Sequence, residues 1–136
     1  MDYTSLPLFS LTQMKMRYLS ERQSLLAQNI ANVDTPGYKA QDVKTVDFAA
    51  LVGGMGKLTP TSTGSMPLLP MAPDHFKQIN REQTAETHPN GNNVSLDEEM
   101  KNMSLTQSDY GDAVTLYHKN IMMFKTALGL GGSATA

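Results

Sequence analysis

The sequence predicts a mainly α-helical protein, with two long amphipathic terminal helices that form a coiled-coil or helical bundle and a loop-rich middle with little or short β structure. Three observations predict it. Apolar residues recur on a broad helical face over residues 8–33. A heptad pattern runs from Leu96 to Leu128. The stretch between them is rich in Gly, Pro, Ser and Thr and carries neither period. The 136 residues are enough for one domain of ordinary size.

The N-terminal helix is predicted over 8–33. Leu11, Met14, Tyr18 and Leu25 mark one stripe, and Leu19, Leu26, Ile30 and Val33 mark a second beside it, so the apolar face is wide. At a rise of ~1.5 Å per residue such a helix is a rod of roughly 36 Å. Lys15, Arg17, Glu21 and Arg22 interrupt the pattern and keep one face polar. The helix stops in "QNIANVDTPGYKA", residues 28–40. Asn29 and Asn32 are suited to hydrogen-bond the backbone of the last turn. Thr35 precedes Pro36 and is pushed out of helical space. Pro36–Gly37 signals a type II turn in which glycine supplies the positive φ. Tyr38 offers a ring to pin that turn against a helix.

Residues 34–52 are expected to form this turn, then a short extended piece, then a helical turn around Phe48–Val52. Residues 53–93 are expected to be loop-rich and partly disordered. A stretch this long without regular structure is unusual inside a compact domain, which argues for a shape completed by neighbours.

The C-terminal helix is predicted over 95–129. Leu96, Met100, Met103, Gln107, Tyr110, Val114, Tyr117, Ile121, Phe124 and Leu128 alternate at four and three residues, and only Gln107 is polar. Ser95 with Glu98 has the spacing of a capping box. Asp97, Glu98 and Glu99 favour the positive end of the helix dipole, and Gly129 is placed to end the helix. Gly111 inside it is either a tolerated weakness or a point of close approach by a neighbouring helix. One antiparallel pair of such helices leaves apolar flanks uncovered, which predicts association between chains.

Composition excludes several classes. Eleven basic and thirteen acidic residues give a net charge of −2 with no like-charged run, so there is no footprint for nucleic acid. Without cysteine there are no disulfides or thiolate sites. The N-terminus lacks the pattern of a cleavable signal peptide, and no segment approaches the ~20 apolar residues of a membrane span. Ten methionines suit adaptable packing. His75, His88 and His118 are isolated. "GGMGKL" fails as a phosphate loop, because Leu51 stands where glycine is needed and Leu58 follows the lysine. The Asn-x-Ser patterns at 93 and 102 are coincidental. No catalytic, metal-binding or cofactor-binding residue stands out, and no cofactor is implied.

The order of residues in the turn is more specific than a helix stop requires. Asn29, Ala31, Asn32, Thr35, Pro36, Gly37 and Tyr38 reproduce a signature, and "NIANVDTPGYKA" resembles the N-terminal motif of the flagellar axial proteins, the rod, hook and hook-associated family. "VSLDEEMKNMSLTQSDYGDAVTLY" is similar to the closing helix of that family. The chain has no room for a large inserted domain and no extra residues in the turn, so it looks most like the short proximal rod members. The resemblance implies a non-enzymatic structural subunit of the proximal rod of the basal body. It implies export through the flagellar type III apparatus on an uncleaved signal, and helical polymerisation in the periplasm. The implied partners are other rod subunits, a small basal-body adaptor protein, the membrane (MS) ring and export-gate proteins, with torque carried outward to the distal rod and hook. The assembly seam is then expected on Leu11, Met14, Tyr18, Leu25, Leu96, Met100, Met103, Tyr110, Val114, Tyr117, Ile121, Phe124 and Leu128. The alternative is a soluble helical adaptor or chaperone-like binding module, which should be a stable monomer or small closed oligomer. An enzyme whose site is built only on assembly is a third reading.

Overall fold

The computed structural model describes residues 7–55, 75–81 and 89–129. It is mainly helical. Helix α1 spans Pro7–Ala31, strand β1 Gln41–Val43, helix α2 Phe48–Met55, strand β2 Gln78–Asn80 and helix α3 Leu96–Ala127. Most of the Gly- and Pro-rich middle and the tail after Gly129 lie outside the described residues.

Proline at the first position of α1 suits a helix start, because its missing N–H would be unpaired there in any case. α1 buries Phe9, Leu11, Met14, Tyr18, Leu19, Leu25 and Leu26, so both apolar stripes face the interior. Its main partner is α3, which runs antiparallel to it. Phe9 near the start of α1 stacks edge-on against Tyr117 and Phe124, with ring centroids 5.7 and 6.3 Å apart. Asn29 near the end of α1 reaches Glu99 in the first turn of α3.

α3 presents a different face to α1 from the one its apolar pattern suggests. Its buried residues are Glu99, Thr106, Ala113 and Asn120, an unbroken seven-residue spacing. The row Met103, Tyr110, Tyr117 and Phe124 lies beside them, partly buried. The expected row Met100, Gln107, Val114, Ile121 and Leu128 is turned toward the edge: Met100 is 57 % and Leu128 55 % exposed, and Leu96 is exposed as well. At 3.6 residues per turn this is a rotation of roughly 50° from the purely apolar seam. The cause is that Glu99 has charged and amide partners in the interior, whereas Met100 has none to gain by replacing it. Thr106 Oγ1 and Asn120 Nδ2 are buried with no hydrogen-bond partner among the described residues.

One detail of α3 differs from expectation and another bears on it. Ser95 is the N-cap but its side chain makes no capping hydrogen bond. The capping box is not formed, because the Glu98 carboxylate turns toward Arg81, 3.8 Å away. At Gly111 nothing among the described residues approaches within 4 Å of where a Cβ would stand, so no described helix packs closely there. The helix ends as expected, with Gly129 at φ +70° and its N–H donating to Thr126 O at 3.0 Å.

β1 and β2 pair antiparallel with Asp42 opposite Ile79. The small sheet lies against α1 and closes one end of the core. Val43 and Phe76 join Met14, Tyr18, Leu19 and Leu25, while Phe48, Leu51 and Tyr110 cover that cluster. Tyr18 sits at its centre, edge-on to Phe76 at 5.4 Å and to Phe48 at 5.5 Å. Burial raises the pKa of the Tyr18 phenol above 10.0; Arg22 pulls against the shift and Asp42 adds to it.

Candidate functional site

The turn after α1 is built as its residues demand. The Tyr38 N–H donates to Thr35 O at 3.3 Å and Gly37 has φ +73°, which makes Thr35–Tyr38 a type II turn. Asn32 caps the end of α1, donating from Nδ2 to Gln28 O at 2.8 Å. Its Oδ1 accepts the Thr35 hydroxyl at 3.2 Å. Thr35, Pro36 and Gly37 are exposed, and so is Ala31.

Asn29 does something other than close its own helix. It is fully buried, and its Nδ2 donates to Gln41 O at 2.8 Å and to Glu99 Oε2 at 3.0 Å. Its Oδ1 accepts the Gln41 N–H at 3.0 Å and the Tyr38 hydroxyl at 3.2 Å. One amide thus joins α1, the turn, β1 and α3, using both donors and both lone pairs. Tyr38 holds the turn through its hydroxyl more than through its ring. Burial raises the pKa of that phenol above 10.0, and the nearby Glu99 charge adds to the shift.

A second clasp comes from the segment just before α3. Asn92 is fully buried, and its Nδ2 points at Asn32 O, Val33 O and Thr35 O at 3.1, 2.7 and 2.8 Å, while its Oδ1 accepts the Val94 N–H at 2.7 Å. Asn93 accepts the Ala40 N–H at 2.8 Å and donates to Arg81 O at 2.8 Å. The Gly37 N–H donates to Asn90 O at 3.0 Å. Gly91, at φ +80°, lies so near that a Cβ on it would stand 3.6 Å from Gly37 Cα. Lys39 Nζ donates to Gly91 O at 2.9 Å. The signature turn is therefore gripped on its backbone by residues more than fifty positions later.

Behind the clasp lies a chain of charges. Arg22 donates to both oxygens of Asp42 at 3.1 and 3.3 Å. Arg81 donates to Asp42 Oδ2 at 3.3 Å and to Glu99 Oε1 at 2.7 Å. Glu99 is buried, so Arg81 and Asn29 between them replace its water. The sequence pattern did not single out Arg81, Asp42, Asn92 or Asn93, and it assigned Glu99 to the helix dipole. An adjacent Asn pair directly ahead of a helix, where one cap would suffice, is the signal that was available.

The expected seam residues fall into two groups. Leu11, Met14, Tyr18 and Leu25 are buried inside the chain, and Met103, Tyr110, Val114, Tyr117, Ile121 and Phe124 are partly covered by it. Leu96, Met100 and Leu128 stand exposed, joined by Leu105, Leu116, Met122 and Met123. An open groove of ≈ 670 Å³ between the end of α1 and the start of α3 is lined by Val33, Asp34, Val94, Leu96 and Asp97 among others, with no nucleophile–base pair in it. Among the described residues no group of three His, Asp or Glu could hold a metal ion, and no helix is long and apolar enough to cross a membrane.

Comparison with known proteins matches this arrangement. A sequence profile described as "Flagella basal body rod protein" matches residues 16–39, the second half of α1 and the turn. The flagellar basal body rod protein FlgB of Proteus mirabilis (strain HI4320) is 30 % identical over 90 % of this chain and 94 % of its own length. FlgB of Bacillus subtilis (strain 168) is 31 % identical over 79 % of this chain and 81 % of its own, and that of Agrobacterium fabrum (strain C58 / ATCC 33970) 28 % over 85 % and 90 %. Similarity that spans both helices and the turn between them, at this coverage, places the chain: it belongs to the FlgB family of flagellar basal body rod proteins and is a structural subunit of the rod.

Proposed function

We propose that the chain acts as one rod-subunit domain of the proximal rod. Its subunits polymerise helically in the periplasm and transmit torque from the membrane ring and motor toward the distal rod and hook. In this reading the work is mechanical and involves no catalytic step. Export runs through the flagellar type III apparatus on an uncleaved N-terminal signal. The contacts at the base are with a small adaptor protein, the MS ring and the export gate. Repeating contacts that do not close on themselves build such a filament.

The observation that carries the reading is the division of apolar side chains on α3. One side is spent on α1, while Leu105, Leu116, Met122 and Met123 remain exposed, Met122 at 63 %. Exposed apolar side chains in this number, on a helix already packed on its other side, favour burial against neighbouring subunits. The exposed seam residues Leu96, Met100 and Leu128 form a separate strip, roughly 140–180° around the helix from Leu105, Leu116 and Met123, with Val114 and Ile121 partly buried beside it. The clasped turn Asn29–Tyr38 fixes the direction in which the chain leaves the helical pair.

The test is a pair of substitutions, Leu116→Asp and Met123→Asp. Both side chains are exposed, so the isolated subunit should keep its fold. Assembly should bury an unpaired charge and fail. Electron microscopy of purified basal bodies should then show no complete rod, and the cells should not swim. Normal rods and motility with both substitutions in place would remove this surface from the assembly.

A further inference from the structure

The clasp contains a chemically labile bond. Asn90–Gly91 is the single Asn-Gly step in the sequence; every other asparagine is followed by a residue with a Cβ. Asn90 is exposed. Its carboxamide is held against the main chain on its C-terminal side, because Oδ1 accepts the Asn92 N–H at 3.1 Å. That hydrogen bond also draws electron density from Cγ. The Gly91 N–H, one residue before the Asn92 N–H, has no acceptor among the described residues. A glycine nitrogen is unshielded by any side chain.

We propose that Asn90 is a site of spontaneous covalent modification, converting through a succinimide to aspartate and isoaspartate, and that the isoaspartate form opens the clasp on the signature turn. The Gly91 nitrogen gives up its proton to hydroxide and attacks Asn90 Cγ. The new N–Cγ bond forms, the Cγ–NH2 bond breaks, and the departing nitrogen takes a proton from water, leaving as ammonia and regenerating hydroxide. Water then opens the five-membered ring at one of its two carbonyls. Opening at Cγ returns a normal backbone with aspartate. Opening at the other carbonyl routes the main chain through Cβ and leaves the former backbone carbonyl as a free carboxylate. No oxidant or cofactor is required.

The second product is the disruptive one. The Asn90 carbonyl is the acceptor for the Gly37 N–H. The main chain at Gly91 lies within van der Waals range of Gly37, and Gly91 O holds Lys39. A backbone longer by one carbon cannot keep all three contacts.

The experiment incubates the purified full-length chain at mildly alkaline pH, folded and in urea. Peptide mass spectrometry and isoaspartyl methyltransferase labelling follow each asparagine. The folded chain should convert at Asn90 alone, no more slowly than the unfolded chain, and Asn90→Gln should abolish the conversion. The isoaspartate fraction, separated by anion exchange, should melt lower by about 4 °C or more. Asn90→Asp, which keeps the backbone and the acceptor for the Asn92 N–H, should melt with the parent. A folded chain that stays unmodified while the unfolded one converts overturns the site. An isoaspartate fraction that melts with the parent overturns its effect on the clasp.

Discussion

Replacing Asn29 by Asp changes the donor half of one buried amide and little else. The shape is kept, and the two bonds accepted by Oδ1, from the Gln41 N–H and the Tyr38 hydroxyl, can persist. What is lost is the donor shared between Gln41 O and Glu99 Oε2, 2.8 and 3.0 Å away. In its place stands a carboxylate facing the buried Glu99 carboxylate. Two unit charges about 4 Å apart at an effective dielectric of about 20 repel by about 4 kcal/mol. Arg81, 2.7 Å from the other oxygen of Glu99, offsets part of this. Leaving Gln41 O without its donor adds about 1 kcal/mol or more. The expected loss near neutral pH is about 3–5 kcal/mol, a large share of the roughly 5–15 kcal/mol that holds a domain together. The sign with pH is fixed. Repulsion raises the new carboxyl's folded pKa above its unfolded value of about 3.9, so the penalty is absent below that value and grows as pH rises toward the folded one. Urea unfolding of both proteins, followed by far-UV circular dichroism at about pH 7 and about pH 5, should show a deficit that shrinks on acidification. A variant as stable as the parent at neutral pH, or a deficit of the same size at both values, would refute the placement of Asn29 against Glu99.

Three further perturbations test neighbouring parts. Arg81→Met strands Glu99 in the interior and should cost about 3 kcal/mol or more by the same unfolding assay, and adding Glu99→Met should recover most of it, because the pair is then replaced by apolar volume; no recovery would mean Arg81 matters for another reason. Gly37→Val forces a β-branched residue into φ +73° and should lower stability by about 1–3 kcal/mol even though nothing crowds the position; an unchanged melting temperature would mean the turn relaxes to another type. The raised phenol pKa values of Tyr18 and Tyr38 favour the neutral form in the folded chain, so their contribution is complete below pH 10.0 and is lost as pH rises through the raised values. Tyr18→Phe should flatten the alkaline fall in stability, and an identical fall in parent and variant would contradict it.

Much of the fold was legible because it rests on local rules. Thr35–Pro36–Gly37 dictates its own turn, and the stripes of α1 predict most of its buried residues, with Phe9, Thr12 and Asn29 added and Ile30 and Val33 only partly buried. The α3 seam was legible only in part. Glu99, Thr106 and Asn120 form the row that faces α1, and a polar residue read for its hydropathy is assigned to solvent. Nothing local distinguishes a glutamate that meets an arginine from one that meets water. Arg81 lies 18 residues before Glu99 and 39 after Asp42, separations that leave no trace in helical or strand periodicity. Asn92 and Asn93 occupy a stretch whose turn chemistry accounts for them without reference to the far end of the chain.

The hydrogen bond from Asn29 to Glu99 links positions 70 residues apart. Closing a loop of that length costs roughly 4 kcal/mol in chain entropy before any reward arrives. During synthesis the N-terminal third therefore waits, its apolar stripes uncovered, until the last third has been made. Helix α1 is long but meets its packing partner only through contacts of high order, the kind that form late and slow a folding reaction. A chain cut anywhere before Asn92 lacks the Asn29–Glu99 bond, the Asn92 clasp and the antiparallel helix together. Such fragments should have no partly native form to occupy, and the folded state should be available only to the chain that has both ends.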